Sequence, residues 1–316
     1  MTVAPITKRE EGLNTEWIKW GRLTWVNVEK PTTKDIEYLA QNYLFHPLDL
    51  EDCLSRIELP KIDEYENYLF LVLHFPVFHK EARVTMPGQV SVFIGEHFVV
   101  TVHGGDLKPL VKLFKDCQQN ERAWEENMGR SSGYLLYRIL DRLVDYCFPI
   151  MNKIIANVET AEDRLFSEQA RDTVREISVL RRDIMAYRRI IRHQPAILKS
   201  LEEKDYPFLK EDLEVYFGDI GDHIGKIGET LQEYKEIVEG LFDTSDSLFS
   251  HRTSEVMKML TILGTILLPL LLVASIYGMN VTLPFEDSSL AFTFIILVSL
   301  AISGGMLAYF RLKHWI

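Results

Sequence analysis

Met259-Leu260-Thr261-Ile262-Leu263-Gly264-Thr265-Ile266-Leu267-Leu268-Pro269-Leu270-Leu271-Leu272-Val273-Ala274-Ser275-Ile276-Tyr277 carries no charged side chain, and Gly278-Met279-Asn280 follows it directly. A second uncharged run extends from Leu290 to Phe310. Each holds roughly 20 residues, so as a helix rising about 1.5 Å per residue it spans a ~30 Å hydrocarbon core. A short link separates them, with Glu286 and Asp287 near its end. The pattern predicts a transmembrane hairpin with a compact polar turn.

About 255 of the 316 residues precede the first span, enough for one large water-exposed domain or two small ones. The first twenty residues include Lys8, Arg9, Glu10 and Glu11 and no apolar stretch, so no secretory signal is expected there. Arg311, Lys313 and His314 follow the second span, while the link has no Lys or Arg. The positive-inside rule therefore places both termini in the cytoplasm and the link outside. The expected location is the plasma (inner) membrane.

A formal charge of −11 argues against a nucleic-acid partner. It suits a protein that gathers divalent cations, although acidic chains are common. Cys53, Cys117 and Cys147 lie far apart and read as reduced, structural thiols. Neither a Walker loop, a dinucleotide fingerprint, a nucleophile elbow nor a close His-metal spacing is present, so no enzyme chemistry is expected and no catalytic residue is assigned. No separate protein partner is expected.

Residues 1–120 read as a cytosolic α/β domain. Leu23–Val28 alternates as a strand, Pro31-Thr32 starts a helix through about Asn42, and His46-Pro47 opens a short second helix. Tyr68–Phe78, Val90–Ile94 and Phe98–His103 are strand-like, the last two joined at Gly95-Glu96. A helix from about Leu107 closes this part. Residues 121–211 read as a helical hairpin: one helix from Gly133 past Pro149 to about Phe166, and one from Ala170 to Leu201 with an arginine-rich outer face. A stalk helix over 212–277 would be on the order of 100 Å long and would enter the membrane at about 256. The link is 278–289, the second span 290–310 and the basic tail 311–316.

One face of the stalk can be followed at steps of three and four: Asp243, Ser247, Ser250, Ser254, Met257, Leu260, Gly264, Leu268, Leu271, Ser275. It passes from acidic to hydroxyl to apolar. Ordinary stalk and core packing is one reading of it; a pore lining is the other. A single two-helix hairpin encloses no aqueous path, so a channel requires several copies around an axis. Gly218, Gly221, Gly225 and Gly228 share another face, suited to close helix approach or to a hinge.

Several segments together resemble the CorA family of magnesium channels over the whole chain. They are Gly278-Met279-Asn280 after the first span, Pro60-Lys61…Glu66-Asn67-Tyr68, Tyr216-Phe217-Gly218-Asp219…Asp222-His223, Glu255-Val256-Met257-Lys258 and Lys313-His314-Trp315-Ile316. The resemblance implies a funnel-like homopentamer in the lipid bilayer, with the first span innermost. It implies Mg²⁺, and also Co²⁺, as the ion carried, and Mg²⁺ as a regulatory ligand that favours closure. Gly278, Met279 and Asn280 would form the selectivity filter. Met257, Leu260, Gly264, Leu268, Leu271 and Ser275 would line the pore and its apolar gate. Glu286 and Asp287 would concentrate cations at the entrance. Asp219 and Asp243 match regulatory or pore-exit acidic positions, with Asp222 beside the first. His79 stands where the family has an acidic partner, with Glu81 nearby, and Leu271 stands where a threonine often lines the family pore. A zinc or other divalent transporter on the same scaffold, and a membrane-tethered helical scaffold without a pore, are the alternatives.

Overall fold

The computed structural model describes residues 6–55, 58–79, 84–165, 170–206, 208–209, 213–279 and 289–315. The chain divides into two compact units, Met1–Phe242 and Asp243–Ile316.

The first unit is built on a seven-stranded sheet. Its strands are β1 (Ile6–Arg9), β2 (Thr15–Trp20), β3 (Leu23–Glu29), β4 (Lys61–Glu64), β5 (Tyr68–His79), β6 (Val84–Gly95) and β7 (Phe98–His103). Their order is β1-β2-β3-β7-β6-β5-β4, and only the β3–β7 pair is parallel. Gly21, at φ +58°, closes the β2–β3 turn, where a side chain would be strained. The β6–β7 hairpin turns between Gly95 and Phe98, as the sequence predicts.

Alternation along the strands sends residues to two apolar layers. Val26, Val28, Phe70, Val72, Phe93, Val100 and Val102 face α1 (Thr33–Asn42) and α2 (Pro47–Asp52), where Leu39, Phe45 and Leu50 complete the layer. On the other side Trp25 meets Phe114 of α3 (Lys108–Gln119) edge-on at 4.9 Å, and α5 (Ser132–Leu165) and α6 (Ala170–Ile191) cover β5 and β6. Helix α1 begins at a capping box: Asp35 accepts from the Thr32 backbone N–H at 2.9 Å, and its other oxygen accepts from Thr15 Oγ1 at 2.8 Å.

The α3 side also buries a polar chain. Trp25 Nε1 donates to Thr101 Oγ1 (3.1 Å), and Thr101 donates to Asn27 Oδ1 (2.7 Å). His103 Nε2 lies 3.0 Å from the same oxygen, while His103 Nδ1 accepts from the Gly105 N–H at 3.1 Å. Both ring nitrogens are thus used by the neutral imidazole, and burial pushes its pKa down to about 4.

Beyond the sheet, α4 (Glu121–Met128) precedes α5 (Ser132–Leu165), which runs through Pro149. The single helix expected over 170–201 is two: α6 (Ala170–Ile191) and α7 (Gln194–Glu203). Pro195 sits in the first turn of α7, where its missing N–H costs no intrahelical bond. Tyr187 donates to the Cys147 carbonyl at 2.7 Å and locks α6 onto α5. All three cysteines are free and buried.

Helix α8 (Glu214–Tyr277) contributes to both units. Its first turns join the first unit through Phe217, Ile220, Ile224, Ile227, Leu231, Val238 and Leu241, all buried at helical spacing. Of the four glycines, Gly218 lies against Glu202, and added methyls at Gly221, Gly225 and Gly228 would meet open space. The second unit pairs the rest of α8 with α9 (Ser289–Leu312).

Candidate functional site

Thr261 and Thr265 donate their hydroxyls to the carbonyls four residues back, Met257 O and Thr261 O, at 2.8 Å each. Their polarity is thereby satisfied within the helix, which lets them stand in an apolar span. Pro269 cannot donate to Thr265 O. At the adjacent carbonyl, Ile266 O, Ser303 Oγ of α9 donates across the hairpin at 2.9 Å. Ile262, 8% exposed, lies on the same stripe of α8, and Lys258 is half-buried there.

Among the described residues nothing covers the opposite face of α8. Met257 is 59% exposed, Leu260 58%, Leu268 62% and Leu271 67%, and Gly264 and Ser275 are exposed with them. The residues expected to line a pore therefore share one uncovered surface. Met259, Leu263 and Leu272 are exposed as well, so that surface is wider than a single stripe. Lower on α8, Ser247 donates to Asp243 O at 3.0 Å, and Asp243, Ser250 and Ser254 are exposed.

Helix α8 ends in a tightened turn, with the Gly278 N–H on Ala274 O at 3.0 Å and the Met279 N–H on Ile276 O at 3.2 Å. The Gly278 φ is not positive. Glycine suits the position, because a Cβ would lie 3.1 Å from Ala274 O, a tight contact. Met279 is 56% exposed. Asn280, Glu286 and Asp287 lie outside the described residues, as does Glu81.

Asp219 and Asp222 are exposed on α8. Asp219 Oδ1 lies 4.0 Å from His223 Nε2, and the His223 ring meets Phe148 edge-on at 5.7 Å. Asp219 also acts weakly on a carboxyl that the sequence reading missed, Asp141 of α5, which pairs with Arg138 at 3.3 Å and has Asp145 one turn on. The Asp141 carboxyl is pushed above its ordinary pKa by burial first, then by Asp145, with Asp219 a smaller contributor. The i, i+4 spacing of Asp141 and Asp145 was the available signal. Among the described residues no group of three or more His, Cys, Asp or Glu could hold a metal ion. His79 is exposed at the end of β5, and beside it the Lys153 ammonium lies 4.3 Å over the Phe78 ring.

Three comparisons bear on this arrangement. The family described as "CorA-like Mg2+ transporter protein" matches residues 20–312. The cobalt/magnesium transport protein CorA of Thermotoga maritima is 30% identical over 299 residues, covering 93% of this chain and 83% of that one. The corresponding protein of Methanocaldococcus jannaschii is 23% identical over 298 residues, covering 93% and 92%. The complete structure of the M. jannaschii magnesium transporter superposes with a TM-score of 0.82 at 22% identity and covers 100% of both chains.

Proposed function

Because the chain belongs to the CorA-like family of Mg²⁺ transporter proteins, we propose that it carries Mg²⁺, and also Co²⁺, into the cell as a passive channel closed by cytosolic Mg²⁺. One observation supports this most directly: an apolar helix face left uncovered by its own chain ends at Gly278-Met279. Several copies, five by the family resemblance, would bring those faces around one axis in the plasma (inner) membrane, with both termini in the cytoplasm.

The ion is the substrate. Mg²⁺ holds its first-shell waters tightly, so stripping them is expensive. A ring of Asn280 amide oxygens can accept hydrogen bonds from those waters without replacing them, and neutral groups release the ion readily. Glu286 and Asp287 raise the local cation concentration at the mouth. Inward movement needs no nucleotide, since a divalent ion gains about 4.6 kcal/mol per 100 mV of inside-negative potential. Leu260, Leu268 and their neighbours close the path by excluding water.

For regulation, the exposed carboxylates fit Mg²⁺ held through water, because that ion is commonly bound by one or two carboxylates while keeping several waters. Asp219 and Asp222 would hold it on one part of α8, and Asp243 on another. Closure then follows from tighter binding to the closed arrangement. Uptake of Mg²⁺, Co²⁺ and Zn²⁺ into vesicles holding the purified chain tests the reading. The expected result is potential-driven Mg²⁺ and Co²⁺ entry that internal Mg²⁺ suppresses; no entry above empty vesicles defeats it.

A further inference from the structure

Helix α9 ends in a folded-back cap. The Trp315 N–H donates to Phe310 O at 2.9 Å, and the His314 N–H donates to Arg311 O at 3.1 Å. His314 sits at φ +55°. This pair of bonds around a left-handed residue is a Schellman motif, normally built on glycine. A histidine there accepts strain for the sake of the turn. The consequence is positional: Trp315 stacks on Phe310, with centroids 5.6 Å apart and planes 18° from parallel, and remains 46% exposed. The motif thus holds an indole against the end of a membrane-length helix, the amphipathic placement favoured where hydrocarbon meets water.

Cations gather around it. Lys258 of α8 reaches across to His314 O at 3.5 Å, and Arg311 and Lys313 are exposed on the cap. Among the described residues none of the three forms an ion pair. The acid nearest in sequence, Glu255, lies 4.0 Å from His251 Nδ1. Arg252 adds a further exposed cation. A chain whose net charge is −11 therefore concentrates unpaired positive charge beside one interfacial tryptophan.

We infer that Lys258, Arg311, Lys313 and Trp315 form a binding site for an anionic phospholipid headgroup, with the indole at the level of its glycerol. The partner is a bilayer lipid, because the indole continues the apolar surface of α9 and a soluble phosphate offers nothing for it to rest on. The inference relies on the hairpin spanning a membrane, as proposed above, but not on ion conduction.

The test uses the full chain in phosphatidylcholine vesicles containing a fixed fraction of phosphatidylglycerol. Bromine is placed on the acyl chains of one lipid or the other, and Trp315→Phe supplies the background of the remaining tryptophans. Headgroup preference makes the brominated anionic lipid quench Trp315 several-fold more per mole, each cation contributing up to about fivefold enrichment. High salt should reduce that ratio in the unaltered protein, and K258Q/R311Q/K313Q should bring it to unity while quenching by the zwitterionic lipid persists. Equal quenching by both lipids in the unaltered chain overturns the site. Loss of the preference on adding soluble glycerol phosphate overturns the lipid assignment. No quenching by either lipid overturns the membrane reading on which the site relies, whatever uptake measurements give.

Discussion

Two apolar runs in this molecule read alike and end differently. In β5, Tyr68 through Leu73 are all buried, sandwiched between the α1–α2 layer and the α5–α6 layer. In α8, Met257, Leu260, Leu268 and Leu271 are each more than half exposed. Both runs are rich in Leu, joined by Phe and Val in the strand and by Ile and Met in the helix. The strand is completed by its own chain, and removal of its side chains from water contributes roughly 25 cal/mol per Å². The helix is left for something outside its own chain to complete: as we propose, lipid on one side and identical copies around a water path on the other. Burial inside the chain therefore marks residues that hold the first unit together, and exposure in an apolar span marks residues with work to do outside it.

The sharpest separation of the two roles is Asn280→Ala, which should abolish Mg²⁺ uptake while leaving assembly and unfolding unchanged; selective uptake at the usual rate would remove Asn280 from the filter. The converse change is Phe93→Ala in the sheet core, expected to cost about 3–5 kcal/mol in denaturant unfolding, against less than about 0.5 kcal/mol for Leu268→Ala. Similar costs for the two would mean that the α8 face is packed and the contrast is false.

Acid should likewise affect one region first. Burial holds the His103 imidazole at about 4, below its ordinary 6.5, so the fold binds its neutral form. The stability this contributes is full above about pH 6.5 and is lost as pH falls toward 4, roughly 3 kcal/mol over the whole window. Unfolding followed by tryptophan fluorescence between pH 7 and 4.5 should show the decline, and a slope unchanged by His103→Gln would assign it elsewhere.

Leu268→Ser, by wetting the constriction, should raise the closed-state leak several-fold with no change in unfolding; an unchanged current places the gate elsewhere on α8. The smallest effect expected is from Asp219→Ala, a shift of inhibition to higher internal Mg²⁺, since one of several exposed carboxylates is removed. Identical inhibition curves would take Asp219 out of regulation.

The two regions also differed in how far the sequence disclosed them. Strands β3, β5 and β7 and helices α1, α3 and α5 follow from alternation, caps and helical spacing. Strands β1 and β2 went unread because Lys8, Arg9, Glu16 and Lys19 give an edge of the sheet a loop-like composition. Helix α4 is short and heavily charged, and the α6–α7 break turns on Pro195, which a strong apolar period on both sides concealed. At the site, the span and its exposed face were legible because periodicity encodes faces. Asp141 was not, because its nearness to Asp219 depends on how α5 meets α8.

Finally, the seam between α8 and α9 is fastened by a hydroxyl. Ser303 donates to Ile266 O one turn before a proline, and among the described residues Ser299 and Ser303 are the buried polar ones of α9. In hydrocarbon, apolar surface gains nothing by meeting apolar surface, so such directed bonds and small side chains must decide which helices pair. The hairpin thus carries its own pairing instructions into the bilayer. In the assembly proposed above, the hairpin, rather than the lone helix, is then the piece from which the whole would be put together.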